Sequence, residues 1–312
     1  MEKKGFSWAG VAAILFKVGP KLAKILSTLL KGGKVIKGTL FATSAASYTM
    51  IFGWKVAIMI LLLLFLHEGG HLWAMKKRGM KTKGMYFIPF LGAAAVTEEE
   101  FPSREAENFV ALMGPTVGLI LSVLAYLVFA LTGDLEFIAA AGWMAMINLI
   151  NLLPIMPLDG GRVLRSISFS FGSWRGLLLT GVGMIIGAAI LVKMGFWLFV
   201  ILIPVGILEI VFDFMKERKR PQELLDAQRR LEELRERLRK SGDAAYSRSM
   251  YYQSMEKDME ERVKKLSLRP NMSASQLIIG IIWALALATS LFFAIHYASI
   301  IAGDTSFIDI LK

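Results

Sequence analysis

Two of this chain's three histidines lie four residues apart, at the end of its most apolar stretch. His67, Glu68 and His71 form an H-E-x-x-H motif directly after five leucines and a phenylalanine at 61–66. Positions i and i+4 of a helix share one face, so both imidazoles can reach one metal ion. Glu68 lies one residue further round, where it can accept a proton from an activated water without being a ligand. The motif therefore predicts a catalytic metal site.

A second motif, N-L-L-P-I-M-P-L-D-G-G-R at 151–162, offers a third ligand. Two prolines end the preceding helix, and the glycine pair after Asp159 allows a tight turn that leaves its carboxylate projecting. An isolated Asp-Gly would ordinarily be a helix cap. Both motifs are predicted on one side of the membrane, however, so we expect His67, His71 and Asp159 to form a site with an open fourth position. The chain has no cysteine, and two histidines with a carboxylate suit one zinc ion per chain.

The elements that must hold these residues are membrane helices. The chain of 312 residues is 55% hydrophobic, with a mean hydropathy of +0.55, which is more apolar than a soluble domain of this length. An ionisable cluster at membrane depth is costly and marks a functional site. The net charge is +11, and the basic residues flank apolar segments. We therefore expect contact with anionic lipids and no nucleic-acid partner.

Apolar segments of suitable length predict about six transmembrane helices. They occupy residues 48–66, 106–132, 137–153, 174–193, 195–214 and 276–302. The expected fold class is an all-α polytopic integral membrane protein with a cytosolic helical insert, since residues 216–270 combine many charges with leucines at coiled-coil spacing. Residues 8–30 carry a stripe of lysines, which leaves an interfacial amphipathic helix and a poor first span both open.

Residues 84–97 change character, because aromatic, proline and glycine residues in a short run predict extended structure with a turn. Placed after the metal helix, this segment would form a short re-entrant β-hairpin beside the site. An unwound substrate strand could pair with it by β-augmentation. The candidate substrate contacts are Phe87, Ile88, Pro89, Leu91 and Gly92.

Basic residues orient the chain. The segments after His71 and Asp159 and the charged insert carry Lys and Arg, so we place them on the cytoplasmic side, with the Asp134 loop and the Met194 turn outside. This orientation places the basic segment Lys31–Lys37 outside, which conflicts with the positive-inside rule. The expected regions are an amphipathic segment at 1–44, a core at 45–214, a charged insert at 215–272 and a final helix with its tail at 273–312.

The two motifs, in this order and topology, resemble the site-2 protease family of intramembrane zinc metalloproteases. The F-I-P-F-L-G run at 87–92 and M-G-P at 113–115 are also similar, so the resemblance covers roughly 45–170. It implies hydrolysis of peptide bonds within transmembrane helices, zinc ligands at His67, His71 and Asp159, and Glu68 as general base. It also implies that Asn151 binds the substrate backbone or stabilises the intermediate. Gly69 departs from the bulky residue common in the family.

The resemblance implies single-span membrane substrates, such as membrane-anchored transcription regulators or anti-sigma factors. We expect an integral, multi-pass protein of a prokaryotic plasma membrane, and the basic residues place its active site towards the cytoplasmic side. No segment before 216 is long enough for an inserted PDZ-like domain. The helical insert could instead regulate the protein or join copies into a homo-oligomer through 221–266.

Two other function classes fit parts of the pattern. Histidine and carboxylates within a bundle could form a transport pathway, but transporters usually contain internal repeats, and none is evident. A scaffold with a structural zinc would not require Glu68. Of the remaining charged groups, we expect His296 to be a core histidine, and Arg162 and Arg165 to anchor lipid headgroups.

Overall fold

The computed structural model describes residues 34–89, 92–97, 99–195, 202–240, 250–267, 271–303 and 306–311. The helices are α1 (Lys34–Phe52), α2 (Trp54–Lys77), α3 (Arg104–Thr132), α4 (Leu135–Asn151), α5 (Asp159–Phe169), α6 (Ser173–Lys193), α7 (Leu202–Lys240), α8 (Met250–Ser267), α9 (Ala274–Ala302) and α10 (Phe307–Leu311). The strands are β1 (Thr82–Ile88) and β2 (Gly92–Thr97). The segment predicted at 8–30 lies outside the described residues.

Four of the described helices, α2, α3, α6 and α9, are long and apolar enough to cross a membrane. The apolar helix α4 is shorter, with 17 residues. These helices and the small two-stranded sheet confirm the predicted fold class of a mostly α-helical, polytopic membrane protein.

The apolar run predicted as one span at 48–66 belongs to two helices. Gly53 separates α1 from α2 with a φ of 84°, a conformation that glycine adopts without the steric cost of a Cβ. Helix α2 then continues through the H-E-x-x-H motif to Lys77, because Leu, Trp, Ala and Met follow His71 and sustain the helix. His67 and His71 consequently lie inside a regular helix rather than at its end.

The predicted β-hairpin is present. Strands β1 and β2 are antiparallel, with Tyr86 opposite Ala94 and Ile88 opposite Gly92. The Phe87 side chain is buried and meets Phe41 of α1 edge-to-face, with 5.0 Å between ring centroids. The hairpin therefore packs against α1 while β2 contacts α2.

Helix α3 forms the centre of the bundle and packs against α2, α4, α5 and α9. Small residues permit the close approach of α2: a Cβ on Gly70 would lie 2.9 Å from the Met113 carbonyl oxygen of α3. Glycines at such contacts let membrane helices pack backbone to backbone. This close packing brings α3 against the face of α2 that carries the two histidines.

Residues 196–201 of the predicted span at 195–214 lie outside the described residues. Helix α7 continues from the rest of that span into the charged insert predicted at 216–270. It is continuous over 39 residues, from Leu202 to Lys240. The sequence changes from apolar to charged near residue 213, but this change in polarity does not interrupt backbone hydrogen bonding. Helix α8 packs back on α7, and the Arg235 Nε donates to Glu256 at 2.8 Å.

Candidate metal centre

Three buried side chains from two separate motifs meet between α2 and the start of α5. The His67 Nε2 lies 3.0 Å and the His71 Nε2 3.3 Å from Asp159 Oδ2, and the two Nε2 atoms are 3.1 Å apart. Donors bound to a tetrahedral ion at about 2.0–2.1 Å lie roughly 3.3 Å from one another. Two imidazoles and a carboxylate with this spacing fit one zinc ion.

Hydrogen bonds on the far side of each imidazole fix its orientation. The His67 Nδ1 lies 2.8 Å from Asn148 Oδ1, and the His71 Nδ1 lies 2.7 Å from the Val110 carbonyl oxygen. The Asn148 Nδ2 donates to the Met144 carbonyl at 2.7 Å, which directs its Oδ1 towards His67. Both Nδ1 atoms therefore donate, so each Nε2 presents its lone pair to a metal.

Two glycines of α3 leave room for this arrangement. A Cβ on Gly114 would lie 2.3 Å from His71 Nε2 and 2.7 Å from His67 Nε2. A Cβ on Gly118 would lie 2.1 Å from the side-chain amide of Asn148. The site thus depends on the absence of side chains from one face of α3.

Glu68 is buried beside the ligands and is held by the hairpin. Its Oε2 accepts a hydrogen bond from the Ala95 backbone N–H of β2 at 2.6 Å. One carboxylate oxygen is thereby oriented. A carboxylate placed next to a metal centre in this way can hold a proton during hydrolysis.

The other predicted site residues lie at the end of α4 and near the hairpin turn. Asn151 is the last residue of α4 and is half-buried. Ile88 and Gly92 pair at the closed end of the hairpin, and Pro89 begins its turn. Leu91 lies outside the described residues.

Sequence reasoning missed Asn148, which lies one helical turn before Asn151. The available signal was a second asparagine in a helix that is apolar after Glu136, where a buried amide needs a hydrogen-bonding partner. The spacing alone did not reveal that this partner is a histidine of α2.

Two of the expectations for charged groups were wrong. Arg165, expected at lipid headgroups, is buried and forms ion pairs with Glu107, Glu209 and Asp213. Burial lowers the pKa of Arg165, but the three carboxylates outweigh burial and raise that pKa above its ordinary value. His296, expected in the core, is exposed on α9 and stacks on Phe292.

The segment that contains the H-E-x-x-H motif is similar in sequence to known zinc metalloproteases. The sequence model of peptidase family M50 matches residues 55–140. Zinc metalloprotease MJ0392 of Methanocaldococcus jannaschii is 30% identical over 120 residues, which are 36% of this chain and 34% of that protein. Rip3 of Mycobacterium tuberculosis, also named as a zinc metalloprotease, is 31% identical over 140 residues, or 42% and 35% of the two chains.

Stage IV sporulation protein FB of Bacillus subtilis is 29% identical over 112 residues, which are 35% of this chain and 39% of that protein. The chain thus spans little more than a third of the length of the relatives it matches. No solved structure matches it significantly. The matches confirm the resemblance of this chain to the site-2 protease family of zinc metalloproteases, over the segment that contains His67, Glu68 and His71.

Proposed function

We propose that this protein is an intramembrane zinc metalloendopeptidase that hydrolyses peptide bonds within transmembrane helices of membrane-anchored substrates. The observation that carries this proposal is the buried triad of His67, His71 and Asp159, whose ligand atoms all lie within 4.8 Å of one another in helices of a membrane bundle. Glu68 lies beside the triad without belonging to it. A structural zinc site would have no use for that carboxylate.

In the proposed reaction, residues of this chain hold the metal, transfer the proton and bind the substrate backbone. When bound by His67, His71 and Asp159, zinc supplies an electrophile that polarises a peptide carbonyl and acidifies water. Glu68 accepts the proton of the attacking water and then donates it to the leaving amine. The Ala95 N–H holds Glu68 in place during both transfers. Asn151, at the end of α4, is proposed to bind the substrate backbone.

The hairpin is proposed to receive the substrate. The Ala95 N–H points to Glu68, away from the ladder with β1, so the outer edge of β2 faces the metal centre. A transmembrane helix must unwind before its amides can be attacked, and the freed strand would pair with this edge. Phe87, Ile88, Pro89, Leu91 and Gly92 would shape the surface around it.

The distribution of basic residues supports a proposal for the orientation of the protein in its membrane. We propose that the protein lies in a prokaryotic plasma membrane, with the metal centre towards the cytoplasm. The basic residues that follow His71 are proposed to contact anionic lipids. Single-span proteins, such as anchored transcription regulators or anti-sigma factors, are the proposed substrates. The regions 1–44, 45–214, 215–272 and 273–312 remain the proposed division of the chain, with 221–266 a candidate surface for homo-oligomers.

The test compares purified wild type with Glu68→Gln in liposomes, measuring zinc per chain and cleavage of a panel of single-span membrane peptides. We expect one zinc in both proteins and cleavage by wild type alone. Zinc without cleavage of any peptide would contradict the protease assignment in favour of a scaffold. A wild type that binds no zinc would overturn the metal site.

A further inference from the structure

A buried arginine joins the metal-binding helix α5 to two other helices. Arg165 follows Asp159 by six residues, or roughly 9 Å along the helix. Its guanidinium pairs with Glu107 of α3 and, on α7, with Glu209 at 3.2 Å and with Asp213. Arg165 is 8% exposed and Glu107 is 1% exposed. Solvent therefore screens this contact weakly.

The partner on α3 lies close to the group that orients a metal ligand. Glu107 precedes Val110 by three residues, less than one turn, and the Val110 carbonyl accepts the hydrogen bond of His71 Nδ1. A second contact supports the same junction, because the Asn108 Nδ2 donates to the Ser166 Oγ at 3.1 Å. The distance between His71 and Asp159 thus depends on how α3 and α5 are joined.

The partners on α7 belong to the helix that continues into the charged insert. Glu209 and Asp213 lie in its first third, and Glu217 lies one turn further on. Glu217 pairs with the buried Arg104 of α3 at 3.0 Å. The start of α7 is therefore attached by ion pairs to α5, which carries Asp159, and to α3, whose Val110 carbonyl orients His71.

We propose that Arg165 is a positioning residue that sets the spacing between Asp159 and His71 by joining α3, α5 and α7, and so couples the charged insert to the metal centre. This inference rests on the proposed zinc site. A guanidinium has five donors in a planar fork and can bridge carboxylates on two helices at once, whereas an ammonium is a single point charge. Lysine should replace it only in part.

The test measures zinc affinity by competition with a chromophoric chelator, using full-length protein in detergent, together with the thermal unfolding midpoint. The variants are Arg165→Met, Arg165→Lys and Asp213→Asn. The matched control is Arg235→Met, which removes an exposed arginine that also pairs with two carboxylates, Glu256 and Glu260. Removal of groups that orient metal ligands typically weakens metal binding about 10–100-fold.

We expect a loss in that range for Arg165→Met, a smaller loss for Arg165→Lys, and a loss for Asp213→Asn that shows the coupling to α7. Arg235→Met should bind zinc as wild type does. A merely structural arginine would lower the unfolding midpoint but leave the zinc affinity of the folded protein unchanged. Zinc affinity within twofold of wild type in Arg165→Lys and Asp213→Asn would overturn the inference, even if Arg165→Met does not fold.

The same measurements separate this inference from the proposed function. Wild type that binds no zinc overturns both. Wild type that binds zinc but cleaves no membrane peptide contradicts the protease assignment alone, because the zinc affinities of the variants still decide the role of Arg165.

Discussion

The imidazoles of the candidate metal centre are oriented by groups outside the H-E-x-x-H motif. Asn148 accepts from His67, and the Val110 carbonyl accepts from His71. Each histidine is thereby fixed in the tautomer that binds metal through Nε2. Metal affinity in this chain should therefore respond to residues that never touch the ion.

Replacing Asn148 tests this directly. Asn148→Leu keeps the branched shape and the number of side-chain heavy atoms but removes the acceptor for His67 Nδ1, so we expect zinc binding to weaken about 10–100-fold. The measurement is chelator competition on purified protein. Asn151→Leu is the comparison variant, and it should retain zinc while lowering cleavage of a membrane peptide. Equal zinc affinity in Asn148→Leu and wild type would show that the hydrogen bond between His67 and Asn148 does not contribute to zinc affinity.

A methyl group at Gly114 of α3 should disrupt the metal centre from the side that faces the two Nε2 atoms. The added Cβ would overlap both Nε2 atoms, so Gly114→Ala must displace His67 and His71. We expect loss of bound zinc and a decrease in the free energy of unfolding of about 1–3 kcal/mol, as for other overpacked cores. Gly181→Ala in α6 is the control, since its Cβ would meet nothing within 4 Å. Bound zinc at the wild-type level in Gly114→Ala would contradict the geometry.

The sequence predicted the residues that meet at the centre, but not the groups that orient them. His67 and His71 follow from helical periodicity alone, and Asp159 follows from a turn motif on the same membrane side. Asn148 and Gly114 act across helix–helix contacts. Which face of α3 or α4 meets α2 depends on the rotation and tilt of packed helices, which no local pattern specifies.

At the scale of elements, the hairpin contacts Glu68 in addition to its proposed contact with a substrate. The Ala95 N–H of β2 donates a hydrogen bond to Glu68, and Glu68 belongs to α2, the helix that β2 contacts. A hydrogen bond to a charged acceptor contributes about 1.5–3 kcal/mol. The strand and the proposed general base should therefore move as one unit.

Ala95→Pro removes that N–H without altering any side chain of the metal centre. We expect the rate of peptide cleavage to fall at least tenfold while zinc per chain is unchanged, because Glu68 loses its orienting donor and the ligands do not. Ala95→Gly retains the N–H and serves as the control in the same cleavage assay. A variant with proline at this position that cleaves as wild type does would show that the hydrogen bond is dispensable.

Element boundaries were less predictable than element types. The hairpin followed from its proline, glycine and aromatic residues. The break at Gly53 was missed because apolar residues continue on both sides of it. The continuity of α7 was missed because a change from apolar to charged residues resembles a domain boundary, although neither composition opposes a helix.

At the scale of the whole molecule, buried ion pairs gather where α3, α5 and α7 meet. Arg104 is 3% exposed and Arg165 is 8% exposed. Removing one member of a buried pair costs about 3–5 kcal/mol, because the remaining charge has no compensation. This junction lies beside the metal centre, on the side that the positive-inside rule assigns to the cytoplasm.

The proposed orientation can be measured because the chain contains no cysteine. Lys81→Cys places one thiol on the exposed segment after α2, and Met194→Cys places one on the exposed turn after α6. In intact cells, a membrane-impermeant maleimide should label Met194→Cys only, and permeabilisation should add labelling of Lys81→Cys. The reverse pattern would place the metal centre on the outer side.

The uninterrupted helix α7 has a mechanical consequence. From Asp213 to Lys240 it extends roughly 40 Å beyond its contact with Arg165, so one continuous helix joins the ion pairs of Glu209 and Asp213 to the charged segment. Pro221 lies within this segment, and because proline removes one backbone hydrogen bond, we expect α7 to bend most easily there, one turn beyond the Arg104–Glu217 pair. We therefore expect a sideways displacement of the far end of α7 to bend the helix at Pro221, and a displacement along its axis to be transmitted to Arg165.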